Sequence, residues 1–143
     1  MQTFPLIQEL LQSSARDQII DLTSILQNHV TSRNVTEGMV VVFCPHTTAA
    51  VTINENYDPD VKGDLLKKLS GMIPRDEPIY DHAEGNSDGH VKTALVGNTV
   101  TLLIEAGRLV LGRWQGVYFC EFDGPRERRV MIKVVNWGKT DNS

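Results

Sequence analysis

The chain has 143 residues, 41% hydrophobic and 22% charged, with a formal net charge of −4. That length supports one domain, residues 1–143, with its own core. The mild, mixed charge excludes the basic stripe of a nucleic-acid binder, and the absence of any run of about 18 apolar residues excludes a spanning helix. The N-terminal MQTFPLIQELLQSS lacks a basic segment followed by an apolar one, so no secretory leader is expected and the protein is placed in the cytoplasm. Cys44 and Cys120, each inside an apolar run, read as buried reduced thiols and not as a disulfide.

In chain order, TFPLIQEL and QIIDL alternate as two strands, with Pro5 suited to an edge or a strand start. From Thr23 the positions Ile25, Leu26 and Val30 recur at helical spacing, with Thr23 or Ser24 as N-cap and Arg33-Asn34 as the end. MVVVFC has the β-branched run of a strand buried on both faces, and AAVTIN follows as its expected hairpin partner. A second helix is signalled by Asp58 as cap, Pro59 at the first helical position, Asp60 at the positive end of the dipole, and an apolar stripe of Val61, Leu65, Leu69 and Met72. Four β-rich runs then follow: HVKTALVG, NTVTLLIEAG, RLVLGRWQGVYFCEF and RRVMIKVVNW. The expected fold is α+β, a large mostly antiparallel twisted sheet with two short helices packed on it.

The segment DHAEGNSDGH, residues 81–90, is polar except for Ala83. A solvated turn satisfies that composition, but His82 and His90 bracket it and His46 ends the core strand before AAVTIN. Three histidines at strand ends, with carboxylates near in sequence, have the composition of an open divalent-metal site, zinc first, with magnesium as the ion that a diphosphate would bring. Histidines that only bond loop backbone fit equally well. His29, without acidic or histidine neighbours in sequence, reads as an ordinary helix residue. Glu55 and Glu84 are candidate bases for a metal-bound water. Trp114 between glycines offers a ring face and Arg126 after a Gly-Pro turn offers an anion fork; core packing and a surface ion pair are the plain alternatives.

PHTTAAVTINENYDPDV, YDHAEGNSDGHVK and LVLGRWQGVYFCEFDGPRERRV resemble, in order, three signature blocks of the YjbQ family, also called the secondary thiamine-phosphate synthase family. Arg113 and Gly89 depart from those blocks, where Thr and Ala are usual. The resemblance implies a small antiparallel α+β domain that assembles as a homotrimer. It also implies a weak transferase activity that joins hydroxymethylpyrimidine diphosphate to thiazole phosphate and releases diphosphate. On this reading His46, His82 and His90 hold metal, Glu55, Glu84 and Asp88 are catalytic, and Asn86, Trp114, Gln115 and Arg126 meet a phosphorylated heterocycle or other anionic metabolite. Asp64 and Glu121 fall among the family's shared polar positions. Metal-assisted hydrolysis of a small phosphate or amide, and non-enzymatic binding of a small anionic metabolite or metal, stand as alternatives.

Overall fold

Two antiparallel sheets stack face to face, and three helices complete the layers. The structure, a computed structural model, describes residues 1–139. The strands are β1 Gln2–Thr3, β2 Ile7–Gln12, β3 Gln18–Asp21, β4 Gly38–Phe43, β5 Ala49–Glu55, β6 Thr99–Glu105, β7 Arg108–Leu109, β8 Gln115–Glu121 and β9 Glu127–Asn136. The helices are α1 Thr23–Ser32, α2 Pro59–Met72 and α3 Ser87–Val96. The larger sheet runs β1-β9-β4-β6-β7, with β2 also on β9; the smaller runs β3-β8-β5. All pairings are antiparallel.

The inward positions of β4, β6 and β9, namely Val40, Val42, Leu102, Ile104, Val130, Ile132 and Val134, meet Val51, Val117 and Phe119 of the smaller sheet, and Leu22 just before α1, with Leu26 and Val30 of α1, closes the core. Each such side chain contributes about 1.5–3 kcal/mol when fully buried. The opposite face of the smaller sheet, with Ala50, Tyr118, Cys120 and Phe122, looks toward α2 and α3.

Three sequence expectations are corrected here. β4 is buried on one face only: Val40 and Val42 are fully buried while Phe43 is 41% exposed, because among the described residues no layer covers the outer face of the larger sheet. β5 does not form a hairpin with β4. It joins the other sheet, pairing Ala49 with Glu121 through to Glu55 with Gln115. HVKTALVG is not a strand but most of α3, so the described residues hold three helices and His90 lies within one of them.

α1 and α2 fall where their periodicity places them. Asp58 accepts the amide of Asp60 at the start of α2, as its cap chemistry requires. At α1 the cap is not Thr23 or Ser24; Asp21 just upstream accepts the Thr23 amide.

Candidate functional site

α3 sits on the smaller sheet through polar residues. Its buried positions are Asp88, Gly89 and Lys92. A Cβ on Gly89 would lie 3.0 Å from the Phe122 carbonyl, so a glycine lets the first turn approach the end of β8 closely. Asp88 accepts both terminal guanidinium nitrogens of Arg16, Nη1 and Nη2, at 2.9 and 2.8 Å, and Lys92 Nζ at 3.3 Å. Lys92 also donates to Asp17 and Ser70. Burial would raise the Asp88 carboxyl, but the Arg16 bonds and the Lys92 charge outweigh it and hold Asp88 below the usual carboxylate range. Asp88, expected to be catalytic, is thus engaged in seating the helix.

A second buried network ties the His46 loop to the sheet. Glu121 accepts Arg128 Nε and Nη2, the latter at 2.5 Å, along with Ser13 Oγ and the Asp123 amide. Arg128 Nη2 also donates to the carbonyl and hydroxyl of Thr48, two residues beyond His46. Arg16, Lys92 and Arg128 escaped the sequence reading. For Arg128 a signal exists: it occupies an inward position in the alternation Arg128, Val130, Ile132, Val134 of β9.

These two networks bring His46 and His90 to one cleft. His46 and Thr47 at the end of β4, with His90, Thr93 and Ala94 of α3 and Gly97-Asn98 behind it, line a hollow of about 480 Å³. His90 also lines a neighbouring hollow of about 420 Å³ with Tyr80, Asp81, His82 and Ser87. The His82 and His90 rings stand edge to face, centroids 5.5 Å apart, and Glu84 lies 3.6 Å from His82 Nε2. Gly85, at φ 73°, turns the loop that carries His82 and Glu84 into α3.

His46 is held differently. β9 runs past the end of β4, and there His46 Nε2 lies 3.1 Å from both the amide nitrogen and the carbonyl oxygen of Arg129. The ring accepts from one or donates to the other according to its tautomer. Burial, helped by the Arg128 charge, holds its pKa below the ordinary histidine value, so His46 is neutral near pH 7.

Among the described residues, no group of three or more His, Cys, Asp or Glu side chains is arranged to hold a metal ion. The metal-binding expectation for His46, His82 and His90 is corrected accordingly: the three share a cleft through His90 without converging on one point. His29 is not isolated, since its Nε2 lies 2.7 Å from Glu9.

The other expected site residues divide between the two ends of the smaller sheet. Asn86 precedes α3 and donates to Asp123, which also pairs with Arg126 at 3.0 Å; Arg126 is therefore in the surface ion pair that was its plain alternative. Glu55, Trp114 and Gln115 lie at the far end, six residue steps along β5 from Ala49, or about 20 Å at 3.3 Å per step. Trp114 is 44% exposed and not core; it meets Tyr57 edge-on at 4.8 Å with the Arg113 guanidinium 4.7 Å from its ring centre. Gln115 turns back to accept the Gly112 amide. Within one chain Trp114 and Arg126 cannot grip one small molecule.

Fold and cleft together define a small α+β domain of two stacked antiparallel sheets with a histidine-lined groove along one helix. A family described as "UPF0047 protein YjbQ-like" matches residues 8–137, and the chain belongs to this YjbQ, or UPF0047, family. It is 44% identical to the UPF0047 protein YugU of Bacillus subtilis, over 87% of this chain and 95% of that one. A UPF0047 protein of Methanocaldococcus jannaschii is 42% identical, over 87% and 90%. A crystal structure of a YjbQ/UPF0047 family protein from Clostridium acetobutylicum superposes with a TM-score of 0.87 at 50% identity, covering 90% of this chain and 99% of that one. A YbjQ-like protein of unknown function from Sulfolobus solfataricus shares the fold at a TM-score of 0.88 and 22% identity, covering 94% and 98%.

These relatives correct the functional expectation. They are named only as UPF0047 or YjbQ-like proteins, one expressly of unknown function. Thiamine-phosphate synthesis, metal-assisted hydrolysis and non-enzymatic binding of a metabolite or metal all go without support from them. Among the described residues no helix is long and apolar enough to cross a membrane.

Proposed function

We propose that the groove along α3 is an acid–base site that moves a proton on a small polar molecule. One observation carries this reading: His90 lines both hollows, one with His82, whose ring it meets edge to face, and the other with His46. His46, kept neutral, is suited to accept a proton. His82, with Glu84 3.6 Å from its Nε2, is the second proton-transfer group along the cleft. Two titratable groups in unlike surroundings along one cleft are what proton transfer needs. Thr47, Thr93 and Asn98 supply neutral hydrogen-bonding groups to orient a polar substrate.

The test is enzyme-dependent deuterium uptake in heavy water, read by mass spectrometry over a panel of small oxo acids, hydroxy acids and sugars. At least one compound should exchange, and His90→Gln should slow that exchange about 10²–10⁴-fold, the usual worth of a general acid or base. A panel in which no compound exchanges faster with wild type than with His90→Gln would remove the reading.

The protein is further proposed to work in the cytoplasm, where its two buried free thiols would stay reduced, and as a homotrimer. The outer face of the larger sheet supports the latter: Leu10, Phe43 and Leu103 are 59%, 41% and 57% exposed there, which is costly to leave in water. Light scattering at low micromolar concentration should report three copies; a monomer would contradict it.

A further inference from the structure

α2 covers the smaller sheet without closing on it. Leu65, Leu66 and Leu69 point from this helix toward the sheet, yet among the described residues none of α2 is fully buried. Beneath them lies a cavity of about 270 Å³, floored by Cys120 and Phe122 and walled on the α3 side by Leu95 and Val96. An unfilled apolar space forfeits the contacts its lining would make.

We propose that this cavity is a binding site for a small, neutral, largely apolar molecule, of the size of a fused or substituted aromatic ring with one polar group. Volume sets the size: 270 Å³ holds about nine water volumes at roughly 30 Å³ each, whereas a helix about 10 Å across does not fit. Lining chemistry sets the polarity. No Asp, Glu, Lys, Arg or His lines the space, and the Cys120 thiol is pushed up to about 12 by burial and stays neutral. A charged ligand would lose its hydration with nothing to replace it. Thr52 and Asn54 of β5 are the two polar side chains of the lining, suited to one hydrogen-bonding group on an otherwise apolar ligand.

The cavity stands apart from the histidine cleft. α3 lies between the two: His90, Thr93 and Ala94 line the cleft, Leu95 and Val96 the cavity.

The experiment is a nitrogen-edited NMR titration of the full chain with 2-naphthol, and with 2-naphthoate as the charged counterpart. Naphthol should give saturable shifts at the amides of Thr52, Leu66, Leu69 and Val96, with a dissociation constant of roughly 0.1–1 mM, within the efficiency expected of so small a ligand. Naphthoate should bind at least about tenfold more weakly, since its carboxylate must be desolvated. Leu66→Trp and, separately, Val96→Phe narrow the space; whichever folds should bind naphthol at least about tenfold more weakly while keeping its melting temperature. Absence of saturable shifts at these amides, equal binding of naphthoate, or undiminished affinity in a folded narrowed variant would each overturn the proposal.

Discussion

Arg128→Met is expected to destabilise the protein by about 3–5 kcal/mol at neutral pH, the range for removing one partner of a buried ion pair. Glu121 is fully buried, and Arg128 supplies two of its donors through Nε and Nη2. Methionine fills much of the volume but strands the carboxylate with only Ser13 and the Asp123 amide, and it also releases Thr48. The pH dependence follows from the same contacts. Burial would raise the Glu121 carboxyl, but the bonds from Arg128 and Ser13 prevail and hold it below the ordinary glutamate value. The unfolded chain therefore takes up this proton first as pH falls below about 4.3. The stabilisation is complete above that pH and drains away below it. Urea unfolding at pH 7 and pH 3.5 should show wild type losing more than Arg128→Met between the two. A variant within about 1 kcal/mol of wild type at pH 7 would mean the network adds little to the simple burial of its parts.

Asp88→Asn should cost about 3 kcal/mol, the low end of the same range, because Arg16 is 21% exposed and Lys92 keeps Asp17. Its effect should concentrate in α3: amide protons of Lys92 to Val96 should exchange with solvent at a lower opening energy than those of β4 or β9. The opposite result, wild-type stability with selective loss of proton transfer, would return Asp88 to the catalytic role that the family resemblance implied. Because α3 carries His90, loosening it should also weaken the cleft, and the two measurements separate seat from chemistry.

α3 shows why one part of the cleft was hidden in the sequence. A helix is read from apolar residues three and four apart, but the residues of α3 that face inward are Asp88, Gly89 and Lys92, while Val91 and Leu95 are 40% and 63% exposed. Its pattern is inverted because ion pairs with Arg16 and Asp17, more than seventy positions upstream, take the place of apolar packing. HVKTALVG places Val91, Thr93 and Leu95 at alternate positions and so reads as a strand. The histidines themselves were visible as a group, and His46 and His90 do share a cleft, yet their spacing says nothing about whether ring nitrogens converge. That depends on where β4 ends against β9, which leaves His46 bonded to the Arg129 backbone.

What the sequence by itself determined are the features carried within a few residues or in extended runs of matching type. Asp58, Pro59 and Asp60 start α2 through contacts with their own backbone; the alternation in β9 selects its inward face; the three signature blocks announce the family that spans residues 8–137. Only the tertiary structure decided that β5 leaves β4 for a second sheet, that Trp114 and Glu55 stand about 20 Å from the His46 end of that sheet, and that Arg128 and Arg16 are buried partners instead of solvated charges. The physical reason is common to all three. Capping and periodicity act between near neighbours along the chain, whereas the β5–β8 partnership and the seating of these charges also need groups 60 or more positions away, as for Glu55 with Gln115, Arg16 with Asp88 or Arg128 with Thr48, which meet only when the sheets close.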